Sequence, residues 1–277
     1  MEKRRMCPNC RAFIEITDRV CPYCAVQLGP RAIDLRASQL ASSLLPRANT
    51  TSAVILSINV FFFLIELFVN SHVAGQSLLS GFGDVNINTI VLLGCKIPHG
   101  EWWRLITAGF LHAGFIHLAM NSYGLFILVS EVEQFYGTSR LIVAYLFSIF
   151  TGFLLSAMWS PGVPSLGAST AVFGMIGIML SMSFRRRSDP LVQAVRAHYM
   201  QYVIFGLIFS LFGGIDMAAH IGGLIGGFLV GVFAGLPGLP NSPRENLWRV
   251  LAGLAIGITV YAFFLDYLSY RVLLRQL

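Results

Sequence analysis

Charge is scarce in this sequence: only 12% of its 277 residues are Asp, Glu, Lys or Arg, while 56% are hydrophobic. A soluble domain carries about a quarter charged residues. Together with a mean hydropathy of +0.71, this excludes an ordinary water-soluble globule and makes the bilayer the expected solvent. No low-complexity tract and no internal repeat is visible, which excludes solenoids and argues against a transporter built from duplicated halves. The start of the chain lacks the apolar core of a secretion signal. It is polar, basic and cysteine-containing, and is expected to stay in the cytoplasm.

Acidic residues are fewer than basic ones, giving a formal net charge of +6. The basic residues are scattered over termini and short loops and form no single patch, so nucleic-acid binding is not expected. Cysteine is also sparse, at five residues. Four of them form two CxxC knuckles, Cys7-Pro-Asn-Cys10 and Cys21-Pro-Tyr-Cys24. Each knuckle offers two thiolates to one side of a tetrahedral ion, so the pattern points to structural zinc. A redox pair or disulfides are the alternatives, the latter disfavoured by a cytoplasmic location. Cys95 is expected to be an unremarkable thiol.

What is abundant is apolar sequence. Residues 1–28 read as a miniature zinc ribbon that depends on metal to fold, and 29–50 as a linker. The membrane part, 51–277, contains stretches long enough, or nearly so, to cross about 30 Å of hydrocarbon as helices: 53–69, 114–130, 140–159, 169–184, 199–213, 217–235 and 250–266. The fold class is thus all-α, a polytopic helical bundle of about seven spans with a small amino-terminal ribbon. With the amino terminus inside, the basic residues concentrate on the inner side, leaving Lys96, Arg104, Arg271 and Arg275 outside, as the positive-inside rule requires. The long loop at 71–113 contains Glu101-Trp102-Trp103-Arg104, residues suited to a segment in the interface.

Ionisable and hydrogen-bonding side chains inside apolar spans tend to be functional. His117 and Asn121 share a face of the second span, Gly167-Ala168-Ser169-Thr170 opens the fourth, and Ala219-His220-Ile221-Gly222-Gly223 begins the sixth. All three spans run from outside to inside, which places these groups at one depth in the outer half of the bilayer. Glu66, near the outer end of the first span, is read as simply reaching the interface. A serine within reach of a histidine is the smallest unit of nucleophilic catalysis, the imidazole taking the hydroxyl proton and returning it to the leaving amine. Backbone N–H groups beside Ser169, with His117 and Asn121, could stabilise the oxyanion. Asp216 is read chiefly as an N-cap and secondarily as a group orienting His220.

Trp103-Arg104, His117-Leu118-Ala119-Met120-Asn121, Gly167-Ala168-Ser169 and Ala219-His220 with its following glycines occur in the order of the rhomboid protease signature, and residues 53–266 resemble that family. The resemblance implies an intramembrane serine endopeptidase acting on transmembrane protein substrates, needing no cofactor for catalysis. Ser169 would be the nucleophile and His220 the base, with His117, Asn121 and the Ser169 amide lining the oxyanion hole. Phe173 matches an aromatic that packs on the catalytic histidine in relatives, and His112 a histidine with a structural role; Trp103, Arg104 and Gly167 support the site. Thr170 departs from the glycine that many relatives have after the nucleophile, and its β-branched side chain could crowd the site. Together with the inside-positive bias, the resemblance implies a multi-pass protein of a bacterial inner membrane, with the active site facing out. The alternative function is an inactive relative that binds membrane clients, with the ribbon docking a protein partner.

Overall fold

The fold is seen in a computed structural model that describes residues 4–7, 9–15, 18, 20–28, 50–73, 75, 77–94, 100–185, 189–211, 215–239 and 241–274. Most of the expected linker, 29–49, lies outside the described residues, as do Cys95, Lys96 and the basic residues Lys3, Arg19, Arg31, Arg36, Arg47, Arg186, Arg187 and Arg275. The chain divides into two compact units, Met1–Leu45 and Pro46–Leu277.

In the first unit, strands β1 (Arg4–Met6) and β2 (Phe13–Glu15) pair antiparallel, with Met6 opposite Phe13. Each CxxC knuckle closes in the same way. The Arg11 N–H donates to the Cys7 carbonyl at 3.0 Å, and the Ala25 N–H to the Cys21 carbonyl at 2.9 Å. Arg11 and Ala25 both take left-handed backbone, with φ of 59° and 57°. The ribbon's core is small, comprising Cys7, Ile14, Cys21 and Leu28.

In the second unit the long helices are α1 (Thr50–Val73), α5 (Phe115–Tyr136), α6 (Thr138–Trp159), α7 (Ser169–Arg185), α8 (Pro190–Ser210), α9 (Met217–Ala234) and α10 (Pro243–Leu274). Short helices α2 (Leu78–Gly83), α3 (Ile87–Leu92) and α4 (Arg104–Thr107) fill the loop between α1 and α5. Each expected apolar stretch overlaps one long helix. Among the described residues, five helices are long and apolar enough to cross a membrane, those beginning at Thr50, Phe115, Thr138, Met217 and Pro243, with the shorter apolar Ser169–Phe184 beside them. Helix α8 is outside that group; Gln193, Arg196, His198 and Gln201 interrupt its apolar residues. It begins nine residues before the expected 199 because Pro190 starts it, a proline needing no N–H bond in the first turn.

The loop before α5 packs against the long helices. Arg104 is only 3% exposed. Its Nη1 donates to the Val91 carbonyl at 3.1 Å, and its Nε lies 2.9 Å from a Glu101 oxygen and 3.9 Å from Asp266 of α10. Val85, Ile90 and Leu111 join Phe63 and Leu67 of α1 and Leu118 of α5 in one apolar cluster. A cation with two carboxylates and a carbonyl at hand is stable in a buried place, so Arg104 ties this loop to α10 while Phe82, Ile87 and Trp102 stay exposed.

Helix α9 lies against α7 and α6 with glycine at the contacts. A Cβ at Gly227 would lie 1.9 Å from the Gly174 carbonyl oxygen, and one at Gly223 2.2 Å from that of Thr170. Lipid gives helices no hydrophobic reason to associate, so this backbone proximity is what van der Waals attraction between α7 and α9 requires. Ser169 opens α7 and His220 lies in the first turn of α9, and the tight packing sets those starts side by side.

Candidate active site

Ser169 is the first residue of α7 and His220 lies in the first turn of α9. Ser169 Oγ and His220 Nε2 are 2.8 Å apart, a hydrogen-bond distance. His220 is 5% exposed, and the Phe173 ring, one turn beyond Ser169, stacks on its imidazole at 4.2 Å and 16°. Phe173 in turn fills the space over Gly206 of α8, where a Cβ would lie 2.6 Å from its ring. The other imidazole nitrogen, Nδ1, lies 2.6 Å from Ser210 Oγ at the end of α8, and that hydroxyl is 2.7 Å from the Gly206 carbonyl. Ser210 was not anticipated from the sequence. It sits ten residues before His220 at the end of an apolar helix, and no local motif marks it.

Asp216 does not reach the imidazole by any described contact. Its carboxylate caps α9 by accepting from the Ala219 N–H at 2.9 Å, and it also accepts from the Ser156 hydroxyl. The capping reading is the one this geometry matches.

Gly167 approaches from the segment leading into α7, at φ +119°. A Cβ there would lie 2.7 Å from His117 Nε2 and 3.4 Å from Asn121 Nδ2, so only glycine lets the chain pass beside those two side chains. His117 Nδ1 accepts from the Ala113 N–H at 3.3 Å. In a neutral imidazole an accepting Nδ1 leaves the proton on Nε2, which therefore faces the Gly167 segment as a donor. Asn121 is 6% exposed, and its Nδ2 has no partner among the described residues. The first N–H groups of α7, beginning with Ser169, likewise lack partners within their helix. His117 and Asn121 thus lie against the Gly167 segment, two residues before the Ser169 hydroxyl.

Glu66 corrects the expectation that it reaches the interface. It is fully buried, and both carboxylate oxygens accept from the His112 N–H, at 3.0 and 3.1 Å. His112 is also fully buried, its ring 5.2 Å from that of His117. Thr170 is buried and its methyl points toward Gly152 of α6. The missing side chain at Gly152 makes room for the β-branch away from Ser169 Oγ. Trp103 precedes α4 and supports its first turn through its carbonyl, which accepts from the Ile106 and Thr107 N–H groups.

In the ribbon the four thiols of Cys7, Cys10, Cys21 and Cys24 lie within 4.8 Å of one another. Cys7 to Cys24 and Cys10 to Cys21 are each 3.7 Å between sulfurs. Four sulfurs each about 2.3 Å from a tetrahedral ion are about 3.8 Å apart, so the cluster fits one four-coordinate metal. The Val26 N–H at the Cys24 sulfur lowers that thiol, while burial and the neighbouring thiols push Cys10 up.

A Rhomboid domain model matches residues 99–236. Rhomboid protease GluP of Bacillus subtilis is 37% identical over 185 residues, covering 65% of this chain and 36% of that protein. YdcA of the same organism is 34% identical over 145 residues, 52% of this chain and 72% of its own. Rhomboid-like protease 2 of Toxoplasma gondii is 30% identical over 216 residues, 72% of this chain and 73% of its own. The chain spans less than half the length of several other relatives, among them RHOMBOID-like protein 4 of Arabidopsis thaliana at 40%.

Proposed function

The chain belongs to the rhomboid family, and from that premise we propose that it is an intramembrane serine endopeptidase cleaving peptide bonds in or near transmembrane segments of other proteins. The observation that carries this reading is the 2.8 Å contact between Ser169 Oγ and His220 Nε2, and His117 and Asn121 against nearby Gly167 support it. Ser169 Oγ attacks the scissile carbonyl carbon as its proton passes to His220 Nε2. The carbonyl oxygen becomes an oxyanion that accepts from the Ser169 N–H, His117 Nε2–H and Asn121 Nδ2. A single such donor is worth about 10²- to 10³-fold in rate. The C–N bond then breaks, His220 gives its proton to the leaving amine, and water hydrolyses the acyl-enzyme by the reverse sequence.

A substrate helix has to unwind near the site, because a carbonyl bonded within its own helix is shielded. Helix-breaking or small residues lower that barrier. The molecule has seven spans, its amino terminus in the cytoplasm and Ser169 in the outer half of a bacterial plasma membrane; the basic residues Arg140, Arg196, Arg244 and Arg249 and the Bacillus subtilis relatives support this placement. The catalytic domain is 51–277. The ribbon at 1–28 holds one structural zinc through Cys7, Cys10, Cys21 and Cys24, and is available to a protein partner.

A fluorophosphonate probe and a transmembrane test substrate decide the matter in detergent-solubilised protein. Labelling and cleavage are expected in the wild type and absent in Ser169→Ala. Cleavage that survives the substitution overturns the assignment.

A further inference from the structure

Three helices hold the His220 imidazole, and the third contributes more than packing. We infer that Ser210 is a positioning residue that selects the imidazole tautomer able to act as a base. The inference deepens the protease reading and, for its kinetic part, rests on it.

Ser210 Oγ has one hydrogen and stands between two polar atoms, the Gly206 carbonyl oxygen at 2.7 Å and His220 Nδ1 at 2.6 Å. A carbonyl can only accept, so a hydroxyl hydrogen directed to Gly206 leaves Ser210 Oγ to accept from Nδ1–H. A neutral imidazole has a single N–H. With that hydrogen on Nδ1, Nε2 carries a lone pair and faces Ser169 Oγ at 2.8 Å. The relay therefore runs in one direction: Ser169 hydroxyl to Nε2, Nδ1–H to Ser210, Ser210 hydroxyl to the Gly206 carbonyl. In the opposite tautomer Nε2–H would point at the nucleophile and could not take its proton.

Among the described residues, the other candidates for this task are otherwise engaged. Asp216, the carboxylate four residues before His220, is engaged with the Ala219 N–H and the Ser156 hydroxyl. Phe173 covers the ring face and has no polar atom to offer. Ser210 is 5% exposed, so bulk water competes poorly for Nδ1. No proton leaves the imidazole through Ser210. When Nε2 takes the nucleophile's proton, Nδ1–H stays in place and its bond to Ser210 strengthens as the ring becomes cationic.

The placement also gives α8 a part in catalysis. Gly206 and Ser210 are one helical turn apart, the first receiving the Phe173 ring and the second the imidazole nitrogen. A shift of the end of α8 would thus disturb both the stacking and the tautomer.

The test uses the full-length protein in detergent. Ser210→Ala is expected to lower kcat about 10-fold with KM unchanged, while Ser210→Thr, which keeps the hydroxyl, recovers most of the loss. Nitrogen NMR of the protein with isotope-labelled histidine should show His220 as the Nδ1–H tautomer in the wild type and as a mixture in Ser210→Ala. A kcat for Ser210→Ala within twofold of wild type, or an Nε2–H tautomer in the wild type, overturns the inference. Should Ser210→Ala fail to fold, the wild-type spectrum alone decides by the same criterion. Should the wild type cleave nothing, the protease reading fails, while the spectrum still decides the tautomer.

Discussion

Gly167 and His117 meet so closely that a Cβ on Gly167 would lie 2.7 Å from His117 Nε2. The glycine's φ of +119° is itself hard for any other residue. Gly167→Ala is therefore expected to displace the donor side chains and to reduce kcat by at least about 100-fold, the loss of one oxyanion donor. Fluorophosphonate labelling should fall with it, while thermal stability changes less than activity. Wild-type turnover in this variant would show that the segment has another course during catalysis.

Asn121 Nδ2 is buried and without a partner among the described residues, as the proposed oxyanion donor requires. Asn121→Ala removes a donor that satisfies nothing in the resting protein, so stability is expected to hold or rise slightly while kcat falls about 10²- to 10³-fold. The comparison of melting temperature with kcat checks it. A parallel loss of both would mark Asn121 as a structural residue.

Much of this site was legible in the chain because its members announce themselves locally. Ser169 and His220 are flanked by Gly and Ala, and small residues are what α7 and α9 need to touch. The cysteine knuckles were equally plain, since a two-residue spacing fixes which sulfurs share a metal. Ser210 and Glu66 were not legible, because their partners, His220 and the His112 N–H, are brought to them by other helices. A polar residue at a helix end reads as an ending, and a glutamate near a span's edge as a surface group. The partners of Arg104 were hidden for the same reason: its pairing with Asp266 depends on α10, far along the chain.

Glu66 is expected to matter to the loop rather than to the chemistry. Glu66→Ala strands the buried His112 N–H, a loss of about 1–3 kcal/mol, read as a lower melting temperature. Glu66→Gln keeps an acceptor and should recover most of it. If the alanine variant melts with the wild type, this bond contributes nothing to the loop beside His117.

Arg104 carries a larger share of the loop's stability. Arg104→Ala would leave the Asp266 and Glu101 carboxylates facing each other without their cation. Removing one member of a buried ion cluster typically destabilises by about 3–5 kcal/mol. Loss of folded protein is expected, with partial recovery in Arg104→Ala/Asp266→Asn, where the like charges are relieved. A double variant no better than the single one would assign Arg104's contribution to its carbonyl contact with Val91.

The four-cysteine cluster allows folding of the ribbon to be tested apart from chemistry at Ser169. Four thiols with 3.7 Å between paired sulfurs have the spacing to hold one ion, and the small apolar core of Cys7, Ile14, Cys21 and Leu28 is too little to hold the ribbon by itself. Elemental analysis of purified protein is expected to find about one zinc per chain, lost in Cys7→Ser/Cys21→Ser. Because the ribbon and the catalytic domain are separate compact units, deleting residues 1–28 should leave fluorophosphonate labelling of Ser169 and cleavage of a test substrate within about threefold of wild type, well short of the change that losing a transition-state donor produces. A shortened protein that folds, labels and fails to cleave would instead make the ribbon part of substrate delivery, and metal-free protein as purified would end the zinc assignment.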